Sequence, residues 1–209
     1  MTGLRNDNLD QNAGADTLYN RMMNVYRFES LAAPVNIDYQ NLLTFNSLIS
    51  TRDMMVNTAK FLVAEDKAEQ AVKLLDRMQE VRPDKNFPLN NSLISSVNDL
   101  AVIDAVNVYL ACGETEKAES LGDRFVSETL DHVKLLSKPY KGELFSMEKF
   151  QNNIYYLLWI ADSYKKAGLK EKADSLHDTI NTYLKAALGQ TLPDDEPEES
   201  QEGAAEAAV

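Results

Sequence analysis

The chain has 209 residues, 44% of them apolar, with 8 glycines, 6 prolines and a formal net charge of −12. That is enough apolar material for a core and too little Gly and Pro for a fold of many short strands. An acidic balance argues against nucleic acid or anionic lipid as the main partner, because both are held by clustered Lys and Arg.

Residues 1–15 are polar and rich in Asn and Asp, and read as a flexible arm or linker. A short helix is expected from Asp16 to Phe28, with Leu18, Met22, Met23 and Val25 as a partial apolar stripe. Residues 29–38 contain Pro34 and read as extended or looped. A helix resumes over 39–48. Ser50-Thr51-Arg52-Asp53 then reads as the capped start of a separate helix reaching Ala64, with an acid in its positive first turn. The next helix runs from Lys67 to Val81, where Ala68, Ala71, Val72, Leu75 and Met78 keep helical spacing and Pro83 ends it.

A second pair follows, from about Ser92 to Ala111 and from Thr115 to about Leu136, joined at Gly113, which suits the left-handed helix end. Residues 137–143, with Pro139 and Gly142, form a connection. A third pair covers 146–167 and 170–188, broken at Gly168. The segment from Gly189 on carries seven acids and no base, with Pro193 and Pro197, and reads as a disordered acidic tail.

Self-similarity is the strongest signal. The stretch Tyr109–Leu121 lies on Tyr164–Leu176 with seven of thirteen positions identical, and Leu62–Leu74 is a weaker third copy. This pattern is that of the turn region of a tetratricopeptide helix pair. The aromatic residue packs between helices, the glycine turns the chain, and Ala71, Ala118 and Ala173 let the second helix approach. The copies lie 47 and 55 residues apart, against ~34 for the standard repeat, so helices or connections are enlarged. The expected fold is all-α: about three antiparallel helix pairs, tetratricopeptide-like, over 16–188, preceded by N-terminal helices.

No catalytic, metal or cofactor site is expected. His132 and His177 are far apart, and no Cys, His or acid cluster has metal-ligand spacing. There is no phosphate loop, dinucleotide fingerprint or nucleophile elbow. Cys112 aligns with Ala167, reads as a buried small residue, and as the single cysteine makes no internal disulfide. No apolar run approaches the roughly 18 residues that span a bilayer, so direct insertion is not expected. The polar N-terminus has no signal-peptide stretch.

The order of features also carries a family resemblance. Tyr19-Asn-Arg-Met22-Met23-Asn24 is followed by a loop with Pro34 and Asp38. Then come Ala68-Glu-Gln-Ala71, Leu74-Leu75-Asp76, Pro83-Asp84 and Tyr109 with Gly113-Glu-Thr-Glu-Lys-Ala118. Over roughly residues 16–187 this resembles the soluble C-terminal region of a bacterial family of many-spanning membrane proteins of unknown function. The membrane part of that family is similar to protein O-mannosyltransferases and other lipid-phosphate-sugar-dependent glycosyltransferases. The resemblance implies an inner-membrane protein with this region on the periplasmic side, its catalytic acids in the membrane part and none here.

The expected function is a non-catalytic scaffold for a protein or peptide segment, which includes the membrane part of the same protein. The chain is expected as a monomer or weak dimer. The alternatives are a free-standing soluble adaptor, which would be cytoplasmic, and a small enzyme with an unrecognised site. In a tetratricopeptide register the first helix of each pair lines the concave face. That places Val56 and Lys60, Ile103 and Asn107, and then Tyr155, Leu158, Asp162 and Lys165 on a candidate interaction surface. Tyr155 is the leading anchor, because an aromatic supplies contact area at low entropy cost.

Overall fold

A computed structural model describes residues 11–32, 42–93, 100–137 and 147–187. Among these the chain is all-α, with no strand. The helices are α1 (Gln11–Asn20), α2 (Glu29–Ala32), α3 (Leu42–Ala64), α4 (Ala68–Val81), α5 (Ala101–Ala111), α6 (Thr115–Ser137), α7 (Met147–Lys166) and α8 (Lys170–Ala187). One turn of π-helix, Arg21–Val25, extends α1.

The helices follow from apolar spacing. Buried Ala71, Leu74, Leu75, Met78 and Val81 form one face of α4, and Ala118, Leu121, Phe125, Val133 and Leu136 form one face of α6. Sequence neighbours pack on each other, α3 with α4, α5 with α6, and α7 with α8. Each pair also meets the next, α5 against α3, α6 against α7, and α7 against α5. Ala71, Ala118 and Ala173 are fully buried, as the close helix approach requires.

The three turns are built alike. Gly113 (φ 80°) and Gly168 (φ 84°) occupy the left-handed region, and Asp66 (φ 58°) takes the same place in the first copy. In each, the next residue donates its N–H back to the copy's first residue: Lys67 to Leu62 O at 2.8 Å, Glu114 to Tyr109 O at 2.9 Å, and Leu169 to Tyr164 O at 2.9 Å. The turn residue itself bonds three back, to Val63, Leu110 and Lys165. This double closure satisfies carbonyls that a helix end leaves orphaned. Asp is one of the few side chains that tolerates this conformation.

Side chains repeat as well. The Tyr109 hydroxyl donates to Asp76 (2.9 Å) and Lys117 Nζ reaches the same carboxylate (2.7 Å). One repeat later Tyr164 donates to Asp123 (2.9 Å), which Lys172 also reaches (2.7 Å). Burial, followed by the neighbouring carboxylate, pushes both phenols well above their ordinary range. At Gly122 the helices are so close that a Cβ would meet the Tyr164 hydroxyl.

Several boundaries differ from the sequence reading. Residues 50–64 do not begin a new helix; α3 runs through them from Leu42. The reason is Arg52. Rather than sitting at a solvated helix start, it is 2% exposed. Its guanidinium donates to the carbonyls of Leu89 (3.2 Å), Pro88 (2.9 Å) and Phe87 (3.4 Å). Residues 29–32 are helical, not looped, and Glu29 there pairs with Arg77 of α4 (3.2 Å). Residues 11–15 belong to α1, with Ala15 buried, so the expected arm does not extend that far. α5 starts at Ala101, while Ser92 and Leu93 form a turn. The start of the chain, the 138–146 connection and the acidic tail lie outside the described residues.

Candidate functional site

Two places gather polar chemistry. The first is a brace between the α4–α5 connection and helices α6 and α7. Asn90 donates to Thr129 (2.9 Å) and Asn153 (2.8 Å), and Ser92 and Asn153 bond in both directions at 3.1 and 2.9 Å. Ser92 Oγ lies 3.2 Å from His132 Nδ1. A serine beside an imidazole invites comparison with an activated nucleophile. Here, however, the hydroxyl is committed to Asn153, which is fully buried. Burial lowers the His132 pKa, against opposing effects of Asn153 and Asp131. Glu128 accepts from Leu89 N (2.9 Å), and burial raises its pKa. The cluster fixes the connection onto α6 and α7.

The second place is a groove of about 340 Å³ between α5 and α7, lined by Leu100, Ile103, Asp104, Asn107, Trp159, Asp162, Ser163 and Lys166. The three copies share a register here. Asn57, Asp104 and Trp159 are equivalent, as are Lys60, Asn107 and Asp162. Trp159 is 45% exposed and Tyr155 52%, and their rings stack at 6.3 Å with 24° between planes. Lys60 of α3 pairs with Asp104 at 2.8 Å, and Lys166 pairs with Asp162 one turn back on α7 at 2.5 Å. The groove thus combines an aromatic platform, an apolar floor and carboxylates on both walls.

The expected surface residues divide. Ile103, Asn107 and Asp162 line the groove, and Tyr155 supports it through Trp159. Lys60 reaches its edge through Asp104. Val56 is 1% exposed and belongs to the core, a correction to its place on the surface; Ile103, at 5%, offers only an edge to the groove floor. Leu158 is half-buried against the core, and Lys165 is exposed but outside the groove lining. Sequence reasoning missed Leu100, Asp104, Trp159 and Lys166. For Asp104 and Trp159 the signal lay in the register, since the row Asn57–Asp104–Trp159, next to Val56–Ile103–Leu158, is the more exposed of the two.

Cys112 is half-buried, its thiol near Ala68 O (3.8 Å), and burial raises its pKa. His177 is half-buried on α8. Among the described residues no group of three His, Cys, Asp or Glu side chains is placed to hold a metal, and no helix is long and apolar enough to cross a membrane. No protein-family model, no curated protein and no solved structure matches the chain.

Proposed function

We propose that this chain is a tetratricopeptide-like interaction module that binds a peptide or protein segment in the α5–α7 groove, with no chemistry of its own. The observation that carries the reading is the stacked, solvent-facing Tyr155–Trp159 pair at the groove. By contrast, Tyr109 and Tyr164, which precede the turns of the second and third copies, are buried between helices. Exposed Trp and Tyr beside a polar rim are the residue types that dominate binding energy at protein interfaces. The repeated turns and the repeated Tyr–Asp–Lys contacts support the tetratricopeptide-like description. The family resemblance adds that the module is the soluble part of a membrane glycosyltransferase-like protein, whose membrane part is one candidate partner.

The test is selection of peptides from a random display library on the immobilised chain. Selected peptides are expected to bind with Kd below about 100 µM and to lose at least about tenfold on Trp159→Ala. Peptides that bind wild type and Trp159→Ala equally would show that the groove is not the site.

A further inference from the structure

We propose that the groove recognises a basic peptide through an arginine side chain laid on Trp159 between Asp104 and Asp162. The inference rests on the reading of the groove as a peptide site and adds the chemistry of the occupant. Three observations carry it. Both walls bring a carboxylate, Asp104 from α5 and Asp162 from α7, to the cavity that Trp159 lines. Lys60 and Lys166 each engage the Oδ2 atom of their carboxylate. The Oδ1 atoms have no partner among the described residues, so each wall keeps an open acceptor. The indole is 45% exposed and fixed by stacking on Tyr155.

A guanidinium matches this set better than an ammonium. It is planar, so it stacks on an indole face, and its fork of donors reaches two acceptors at once. A lysine offers a point charge with no plane to stack. A carboxylate or phosphate ligand would find the lysines of both walls, Lys60 and Lys166, already engaged by Asp104 and Asp162, whereas a cation finds the open Oδ1 atoms. The net charge of −12 also draws cationic segments toward the chain. Leu100 and the edge of Ile103 give apolar contact for the arginine stem, and Asn107 offers an amide for the backbone of an extended peptide.

Trp159 is the chain's single tryptophan, so intrinsic fluorescence reports this site alone. The probes are three capped tripeptides, acetyl-Leu-Arg-Leu-amide and its citrulline and lysine counterparts, titrated to about 10 mM. Citrulline keeps the shape of arginine without its charge. The expected result is a saturable change with arginine, at least about tenfold weaker binding with citrulline, and intermediate binding with lysine. Asp104→Asn and Asp162→Asn should each weaken the arginine probe about three- to tenfold and leave the citrulline probe unchanged. Lys60→Met, which frees Asp104, should tighten it. Equal binding of arginine and citrulline, or an arginine response that both Asn variants leave intact, overturns the proposal. If the two probes bind equally and Trp159→Ala, read by titration calorimetry because the variant has no indole, abolishes both, the peptide groove stands and only charge recognition falls. Silence with all three probes also overturns the arginine proposal, and the display selection then judges the groove by itself.

Discussion

His132 is held by burial in its neutral form, with a pKa below the ordinary 6.5. The unfolded chain protonates this imidazole near 6.5, so in that range the unfolded state binds more protons. Its contribution to stability is therefore present above pH 6.5 and is lost as pH falls through the lower folded value. Glu128 works the other way, since its raised pKa makes the fold gain stability as pH falls through the folded value toward the ordinary 4.5. Comparing wild type with His132→Gln at the same pH cancels Glu128. The melting temperature of wild type should fall more than that of the variant between about pH 7.5 and about pH 5.5. Equal losses in the two proteins would mean that the imidazole titrates as it does in water.

Arg52 shows how one side chain joins elements. It leaves the middle of α3 and gathers three carbonyls of the α4–α5 connection. Arg82 adds a second tie, donating to Thr51 and lying 4.6 Å over the Phe87 ring. Replacing Arg52 by Leu leaves buried carbonyls without donors and should cost about 3 kcal/mol or more, read as a fall in the denaturant midpoint. A change under about 0.5 kcal/mol would show that water replaces the guanidinium without loss. This tie also marks where the sequence stops being readable. The helix pairs were legible because Ala71, Ala118 and Ala173 recur in register, the last two behind a glycine turn; the equivalent turn at Asp66 emerged only from the structure. Arg52 looked like part of a polar cap, since Ser, Thr and Asp around it fit a helix start and a buried guanidinium leaves no periodic trace. The groove was half legible. Asn107 and Asp162 follow from the register. Val56 was misplaced because a one-residue rotation about the axis separates core from surface, and periodicity alone does not fix that rotation within 100°, the angle per residue.

On the scale of the molecule the repeated contacts make the pairs interlock in one direction. Asp76 and Asp123 each receive a Tyr hydroxyl and a Lys from the following pair. The equivalent residue on α8 is Asp178, and it is exposed. A second copy stacked head to tail would need to bring a Tyr and a Lys to it. The first pair has Leu62 and Gln70 at those two positions, so it offers neither. That end is already occupied by the N-terminal elements. Asp16 of α1 pairs with Lys67 at 2.8 Å, and Arg77 of α4 donates to Met22 O at 3.2 Å in the π turn and pairs with Glu29 of α2. The outer face of α8 differs in kind too. Asp174, His177 and Asn181 stand where α4 has Val72, Leu75 and Gln79. A polar outer face on the last described helix disfavours continued stacking into filaments. The chain should therefore sediment as a single monomeric species up to about 100 µM, and Asp178→Ala should leave both the sedimentation profile and the midpoint of unfolding within about 0.5 kcal/mol of wild type. A concentration-dependent dimer that Asp178→Ala dissolves would mean that this face pairs with another surface of a second copy.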